Sequence, residues 1–319
     1  MEQLVTGIHH VTAIASDAAR NMEFYAGILG LRLVKKTVNF DAKEVYHFYY
    51  GNDIGEPGSL LTFFPYQGLV NGRHGKGMLN TTTFSLASDS LNFWQQRLKD
   101  HSVAFKPPRE RFSSEVVIYF EDSDGLGLEL VFNERDRRPG ISNGRIPVEH
   151  SIRGLYNVEI WEDSYERTAA LLTEQLNHQF ISQEGNRFRF AAANRPGDYV
   201  DIICSPESLK GLAGSGTVHH LAFATPDLDT QNAIVNKLTQ GSLKPTPVLD
   251  RKYFSSVYFR EPGGVLFEVA TAGPGFTVDE PAPELGMQLK LPPQFESERN
   301  TIEALLPPVI YEPDRLSER

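Results

Sequence analysis

Four of the nine histidines in this chain stand as two adjacent pairs, His9 and His10 in GIHHVTA and His219 and His220 in TVHHLAFA. Imidazole titrates near neutrality, binds divalent metals and moves protons, so a pair written twice is a candidate for metal or acid–base chemistry. Two carboxylates also fall at a repeated place. Glu129 lies ten residues after Tyr119 in RFSSEVVIYFEDSDGLGLELV, and Glu268 lies ten after Tyr258 in KYFSSVYFREPGGVLFEVA.

The elements that must position these residues repeat as well. HHVTAIASD aligns with HHLAFATPD, and Asp17 and Asp227 each stand seven residues beyond the second histidine. Both segments read as apolar or β-branched strands running into a turn, and a helical stretch follows each, Arg20 to Leu29 and Leu228 to Thr239. The Gly-bearing turns before Glu129 and Glu268 are hairpin chemistry, because glycine adopts positive φ without steric cost. The chain thus divides into four β-α-β-β-β units, approximately Ile8 to Phe64, Leu79 to Phe132, Gly154 to Cys204 and Thr217 to Ala270. The helices expected in the second and third units are Ser90 to Asp100 and Tyr165 to Asn177. The reading is an α+β chain with two modules in 1–135, a polar Arg/Gly/Pro linker at 136–150 and two modules in 151–275. A Pro-rich tail follows at 276–319, with a short helix from Glu296 to Leu306.

Composition bounds the rest. A length of 319 residues suits two domains, each able to bury most of its apolar surface. No apolar stretch reaches the length of a membrane span, and the N-terminus lacks a basic segment followed by an apolar run, so no signal peptide is expected. The single cysteine, Cys204, excludes an internal disulfide framework and fits a reducing cytosol. A formal charge of −10 argues against a nucleic-acid surface. These features predict a soluble, cytoplasmic protein acting on something small or on another protein, with homo-oligomerisation left open.

Four βαβββ units, with histidine in the first strand and glutamate in the last, resemble the vicinal oxygen chelate superfamily, over about residues 5 to 275. That superfamily includes glyoxalase I, extradiol ring-cleaving dioxygenases and bleomycin-resistance proteins. The resemblance implies two tandem glyoxalase-like domains, incomplete β-barrels with outer helices and a metal in the cleft. In shared register, the first-strand positions are His10, Thr82 or a neighbour, Leu155 or Tyr156, and His220. The last-strand positions are Thr62, Glu129, Asp201 and Glu268. Units one and four then offer His10, His220 and Glu268 to one metal, while units two and three keep carboxylates without histidines. Two imidazoles and a carboxylate form the facial triad of non-haem Fe(II) oxygenases, which leaves room for substrate and O2. A glyoxalase I site of this fold generally has two carboxylates, and Thr62 cannot replace one.

In a regular strand, successive side chains face opposite sides, so only one histidine of each pair can enter the cleft. The superfamily pattern selects His10 and His220, leaving His9 and His219 at the strand mouth or on the far face. Around the fourth unit the chain is similar to hydroquinone-type ring-cleaving dioxygenases. That similarity implies contact or supporting roles for Thr12, His219, Arg251 and Tyr258, and His9 is carried with them as a candidate. His219 is expected to accept a phenolic proton, Arg251 to steady anionic oxygen and Tyr258 to donate a hydrogen bond. Arg251 has a bland alternative as a surface partner of Asp250 or Glu261, and Tyr258 and Thr12 as ordinary barrel residues. His47 reads as a packed strand histidine, His74 as a loop residue and Cys204 as a buried thiol. The leading function is a mononuclear Fe(II) dioxygenase, with Mn(II) as another metal, opening a hydroquinone- or catechol-like ring with O2. A Zn or Ni glyoxalase-type isomerase or lyase, and a metal-free binding or resistance protein, are the alternatives.

Overall fold

The computed structural model describes residues 3–142 and 146–311; residues 1–2, 143–145 of the expected linker and 312–319 of the expected tail lie outside the described residues. Each of the four units contributes four strands. The first holds β1 (Gly7–Ala15), β2 (Arg32–Asn39), β3 (Ala42–Gly51) and β4 (Leu60–Pro65); the second β5 (Met78–Ala87), β6 (Arg109–Arg111), β7 (Glu115–Glu121) and β8 (Gly127–Asn133). The third holds β9 (Gly154–Glu162), β10 (Gln179–Glu184), β11 (Arg187–Ala191) and β12 (Tyr199–Cys204); the fourth β13 (Thr217–Thr225), β14 (Leu249–Asp250), β15 (Ser255–Arg260) and β16 (Leu266–Thr271).

These strands form two curled eight-stranded sheets that together make two glyoxalase-like half-barrels. One runs β14-β15-β16-β13-β1-β4-β3-β2 and the other β10-β11-β12-β9-β5-β8-β7-β6. The sheets do not follow the division of the chain into 1–135 and 151–275, because each takes one module from either half. The reason is local: β1 pairs antiparallel with β13, and β5 with β9, so the first strands of opposite halves zip together. This pairing brings the two histidine pairs onto neighbouring strands.

The helices lie against the sheets. α1 (Ala18–Met22) widens into a π-helical turn at Glu23–Ile28, and α3 (Glu166–Ala170) does so at Leu171–Gln175. α2 (Leu91–Asp100) and α4 (Leu228–Gln240) are regular and bury Trp94, Leu98, Ile234 and Leu238. The repeated aspartates are helix caps: Asp17 accepts from the Arg20 amide and Asp227 from the Thr230 amide, each at 2.8 Å. From α4, Gln231 donates to the Ser255 and Val269 carbonyls at 2.8 Å, fixing the hairpin that carries Glu268.

The tail covers an open sheet edge. Lys290 donates its amide to the Lys36 carbonyl on edge strand β2, and the buried Lys35 ammonium pairs with Asp279 and Glu280. A turn of 3-10 helix at Pro293–Glu298 leads into α5 (Arg299–Leu305), over the span expected to be helical. No helix among the described residues is long and apolar enough to cross a membrane.

A buried carboxyl pair joins the third and fourth modules. Thr168 Oγ1 lies 2.8 Å from Glu162 Oε2 and 2.6 Å from Glu261 Oε2. Burial, and then the Glu261 charge, hold the Glu162 pKa up at about 8, against an ordinary 4.5. A raised folded pKa means that the folded state keeps the proton longer, so this pair favours the fold most below 4.5 and progressively less as pH rises through about 8. Urea midpoints measured between those limits should fall with pH in the wild type and fall less steeply in Glu162→Gln. An identical slope in both proteins would remove the pair from this role.

Candidate metal centre

The β1–β13 ladder carries two register shifts. Ile8 pairs with Phe223 and His10 with Ala222, so His9 is an extra residue on β1. Thr12 pairs with His220 and Ala13 with Val218, so His219 is the matching extra residue on β13. Each is a β-bulge, which interrupts the alternation of side chains and turns two successive residues toward one region. Sequence alone places His9 and His219 at the strand mouth or on the far face; the far face assumes a regular strand, and the bulges turn each ring to its neighbour instead. His9 Nδ1 lies 2.9 Å from His10 Nδ1, and His219 Nδ1 lies 2.8 Å from His220 Nδ1.

The other edges of His10 and His220 converge. Their Nε2 atoms are 3.1 Å apart, and Glu268 Oε2 stands 3.4 Å from the first and 3.0 Å from the second. Adjacent donors on an ion with bonds of about 2.1 Å lie about 3.0 Å apart at octahedral angles and about 3.4 Å at tetrahedral ones, so the three atoms fit one face of a divalent metal. Glu268 Oε2 is fully buried and has no hydrogen-bond partner among the described residues, whereas Oε1 accepts from Ser256 Oγ at 2.5 Å. A buried carboxylate oxygen left bare beside two imidazole nitrogens is a donor set waiting for a cation. The set comes from β1, β13 and β16, with Glu268 fixed by the parallel pairing of Ala222 to Glu268.

Protonation follows from burial. The His220 pKa is lowered chiefly by desolvation, leaving a neutral ring with a lone pair to offer. Burial also works against Glu268, but His10 and His220 outweigh it and keep the carboxylate ionised. The His9 pKa is lowered to about 3, first by burial and then by His10. His219 is exposed along one edge, and packing of its inner edge, then His220 and Arg260, lower its basicity too. A neutral His9 or His219 accepting at Nδ1 would hold the proton of its neighbour on Nδ1 and leave Nε2 free.

A cavity of about 40 Å³ opens beside these nitrogens, room for about one water. Tyr49, His47, Phe64, Phe254, Arg251 and Tyr258 form much of its wall, with His10 and His220 at one end. Of the residues expected to act on a substrate, Tyr258 and Arg251 line it; His219, Thr12 and His9 do not. Thr12 Oγ1 instead bonds Thr62 Oγ1 at 2.7 Å, and Thr62 continues to His47 Nε2 at 3.0 Å. His47 Nδ1 is then met by the Tyr49 hydroxyl at 2.9 Å. Arg251 turns neither to Asp250 nor to Glu261: its guanidinium lies 3.5 Å from Asp41 and over the rings of Phe40 and Tyr258. The β2–β3 turn at Phe40 and Asp41 thereby forms part of the cavity wall beside Arg251. Tyr258 stands opposite Glu268 across the β15–β16 hairpin, and burial raises its pKa, so the hydroxyl keeps its proton.

The sequence pattern of the Glyoxalase/Bleomycin resistance protein/Dioxygenase superfamily matches residues 7–130 and 154–269. The chain belongs to that superfamily. It is 40% identical over 301 residues to a Bacillus subtilis protein named "Putative ring-cleaving dioxygenase MhqE", covering 94% of this chain and 98% of that one. It is 33% identical over 311 residues to a chlorohydroquinone/hydroquinone 1,2-dioxygenase from Sphingobium indicum, covering 95% and 96%. A Bacillus subtilis crystal structure, described in similarly provisional terms as a dioxygenase, superposes with a TM-score of 0.92 at 37% identity and covers 97% of this chain and 98% of its own.

The second superfamily sheet shows what the same scaffold does without histidines. Its β5–β9 ladder has the same two bulges, at Asn80 and Tyr156, so the positions matching His10 and His220 are Thr81 and Asn157. Thr81 is a neighbour of the expected Thr82, whereas Asn157 replaces the expected Leu155 or Tyr156. Their space is taken by guanidinium groups. Arg111 meets Glu129 at 2.6 Å and Glu115 at 2.7 Å; Arg187 meets Asp201 at 2.9 Å and Glu159 at 2.6 Å. Arg189 bridges Asp201 and Glu115. Burial opposes the Asp201 charge, yet Arg189 holds its pKa to about 2. The carboxylates here already have cations.

Sequence reasoning missed Ser256, Phe254 and Asp41. Ser256 stands two residues before Tyr258, so strand periodicity placed it on the same face, a usable signal. Asp41 carried none, because its partner Arg251 lies three modules away in the other half. His74 is a loop residue, bonding the Gly216 carbonyl at 2.8 Å, and Cys204 is half-buried with its thiol pKa raised by burial. We predict that His9→Ala and His219→Ala each weaken divalent-metal affinity about 10- to 100-fold without abolishing it, whereas His10→Ala abolishes it. Competition against a chromogenic chelator reads this directly, and wild-type affinity in both outer variants would contradict it.

Proposed function

We propose that this chain is a mononuclear ring-cleaving dioxygenase, with His10, His220 and Glu268 holding Fe(II), that opens a hydroquinone- or catechol-like ring with O2. One observation carries the reading: two buried imidazole nitrogens and one carboxylate oxygen left bare among the described residues face a common point. The Sphingobium indicum relative, named a chlorohydroquinone/hydroquinone 1,2-dioxygenase, supports the substrate class. When bound, Fe(II) would supply the path by which electrons pass from an electron-rich ring to O2. Both oxygen atoms enter the product of a dioxygenase, so no outside reductant is needed.

The chain's own residues do the rest. Arg251 is charged at any working pH and favours the phenolate over the phenol beside it. Tyr258 keeps its proton and can donate it as a hydrogen bond to a ring oxygen. His9 and His219 act as positioning residues; His219 lies outside the cavity, so the proton-accepting role expected for it is set aside. Tyr49, Phe64 and Phe254 present flat apolar walls that exclude water from the ring. The cavity is smaller than an aromatic ring, so ring binding would require its wall to widen. The single half-buried cysteine fits a reducing cytosol.

The glyoxalase-type reading is disfavoured by Thr62, a hydroxyl already shared by Thr12 and His47 where a second carboxylate is needed. A metal-free binding protein has no use for three converging donors. Protein purified without oxygen and loaded with Fe(II), Mn(II) or Zn(II) should consume one O2 per hydroquinone with Fe(II), or with Mn(II), and none with Zn(II). Oxygen uptake absent with every metal, or isomerase activity with Zn(II), would overturn the proposal. In Arg251→Gln, kcat/KM should fall about 10²-fold at unchanged metal content, and an unaltered value would place Arg251 outside the chemistry.

A further inference from the structure

We infer that a cleft between the two sheets, separate from the metal centre, binds a small polyanion bearing phosphate or carboxylate groups. The cleft measures about 480 Å³ and is lined by Arg135, Arg137, Arg138 and Arg195, with Asp136 as its one acidic residue. Four guanidinium groups around one concavity are unexpected on a chain whose net charge is −10.

Their bonding separates one structural arginine from three that are open. Arg138 is the floor: it is bidentate to Asp136 at 2.6 to 3.1 Å, and donates to the Gly58 carbonyl at 3.1 Å and the Leu155 carbonyl at 2.6 Å. Glycine is required around it. A Cβ on Gly154 or Gly197, both at positive φ, would stand 2.7 or 2.9 Å from the Arg138 guanidinium. The other three are exposed and none forms an ion pair among the described residues. Arg195 reaches the Thr6 carbonyl at 3.0 Å, Arg135 has a 3.4 Å contact with the Asn194 carbonyl, and Arg137 has no hydrogen bond among the described residues.

Guanidinium groups match phosphate and carboxylate oxygens with paired N–H donors, and several convergent ones select multiply charged ligands. The volume lies within the range of small-molecule sites, about 300–1,000 Å³. A nucleic acid needs an extended basic track, whereas these four arginines share one cleft. The inference does not rest on the reading of the metal centre.

Calorimetric titration at constant low ionic strength tests it, with inorganic pyrophosphate and citrate as separate probes. The wild type should bind one equivalent of at least one probe, pyrophosphate alone marking a phosphoryl site and citrate alone a carboxylate site. Arg137→Gln/Arg195→Gln should bind about tenfold more weakly or worse, with metal content and circular dichroism unchanged. No binding by the wild type at about 1 mM of either probe, or equal binding by the double variant, would overturn the inference; equal binding would locate the anion elsewhere, the metal included. Should the double variant misfold, Arg135→Gln carries the same comparison.

Discussion

A residue squeezed into a β-ladder without a partner bends its strand and turns its side chain out of the regular alternation. Everything at the candidate metal centre depends on two such residues, His9 on β1 and His219 on β13, placed symmetrically about the pairing of the two strands. Without the bulges, each histidine pair would split across the sheet. With them, each outer ring touches the inner one at Nδ1, and the inner rings face each other at Nε2. The same bulges occur in the second sheet at Asn80 and Tyr156, so they belong to the scaffold and histidine is a use made of it.

The two sheets solve one electrostatic problem in different ways. Each buries carboxylates in its concave face, and an uncompensated buried charge is costly. Around Asp201, Glu129, Glu115 and Glu159, arginines from β6 and β11 supply the cations within the chain. Around Glu268 no guanidinium forms an ion pair, and one oxygen is left bare among the described residues. The duplicated fold thus carries one half whose buried carboxylates are neutralised by arginines and one whose Glu268 has no guanidinium partner among the described residues.

Much of this was legible in the sequence. Repeats reveal themselves because each module must bury the same face, and the ten-residue interval from Tyr258 to Glu268 is a hairpin register: the two stand opposite each other, as do Tyr119 and Glu129. The repeated aspartates were visible as echoes, and their reason is helix capping at Asp17 and Asp227. The bulges were not legible, since a period-two reading has no place for an extra residue, and that cost both the orientation of His9 and His219 and the identification of Asn157. The contact of Arg251 with Asp41 joins β14 to the β2–β3 turn and depends on the assembled sheet alone. Pairing of the first module with the fourth, by contrast, was implied by the resemblance, and the antiparallel β1–β13 ladder carries it out.

The central claim is that one of two equivalent bulged sheets is shaped for a metal and the other is not. Crystals of protein loaded anaerobically with Fe(II), measured on either side of the iron absorption edge, test it most directly. A single anomalous peak bounded by His10 Nε2, His220 Nε2 and Glu268 Oε2, with none among Asp201, Glu129 and the arginines, is the predicted result. A peak in the arginine-filled sheet, or none beside Glu268, would contradict it.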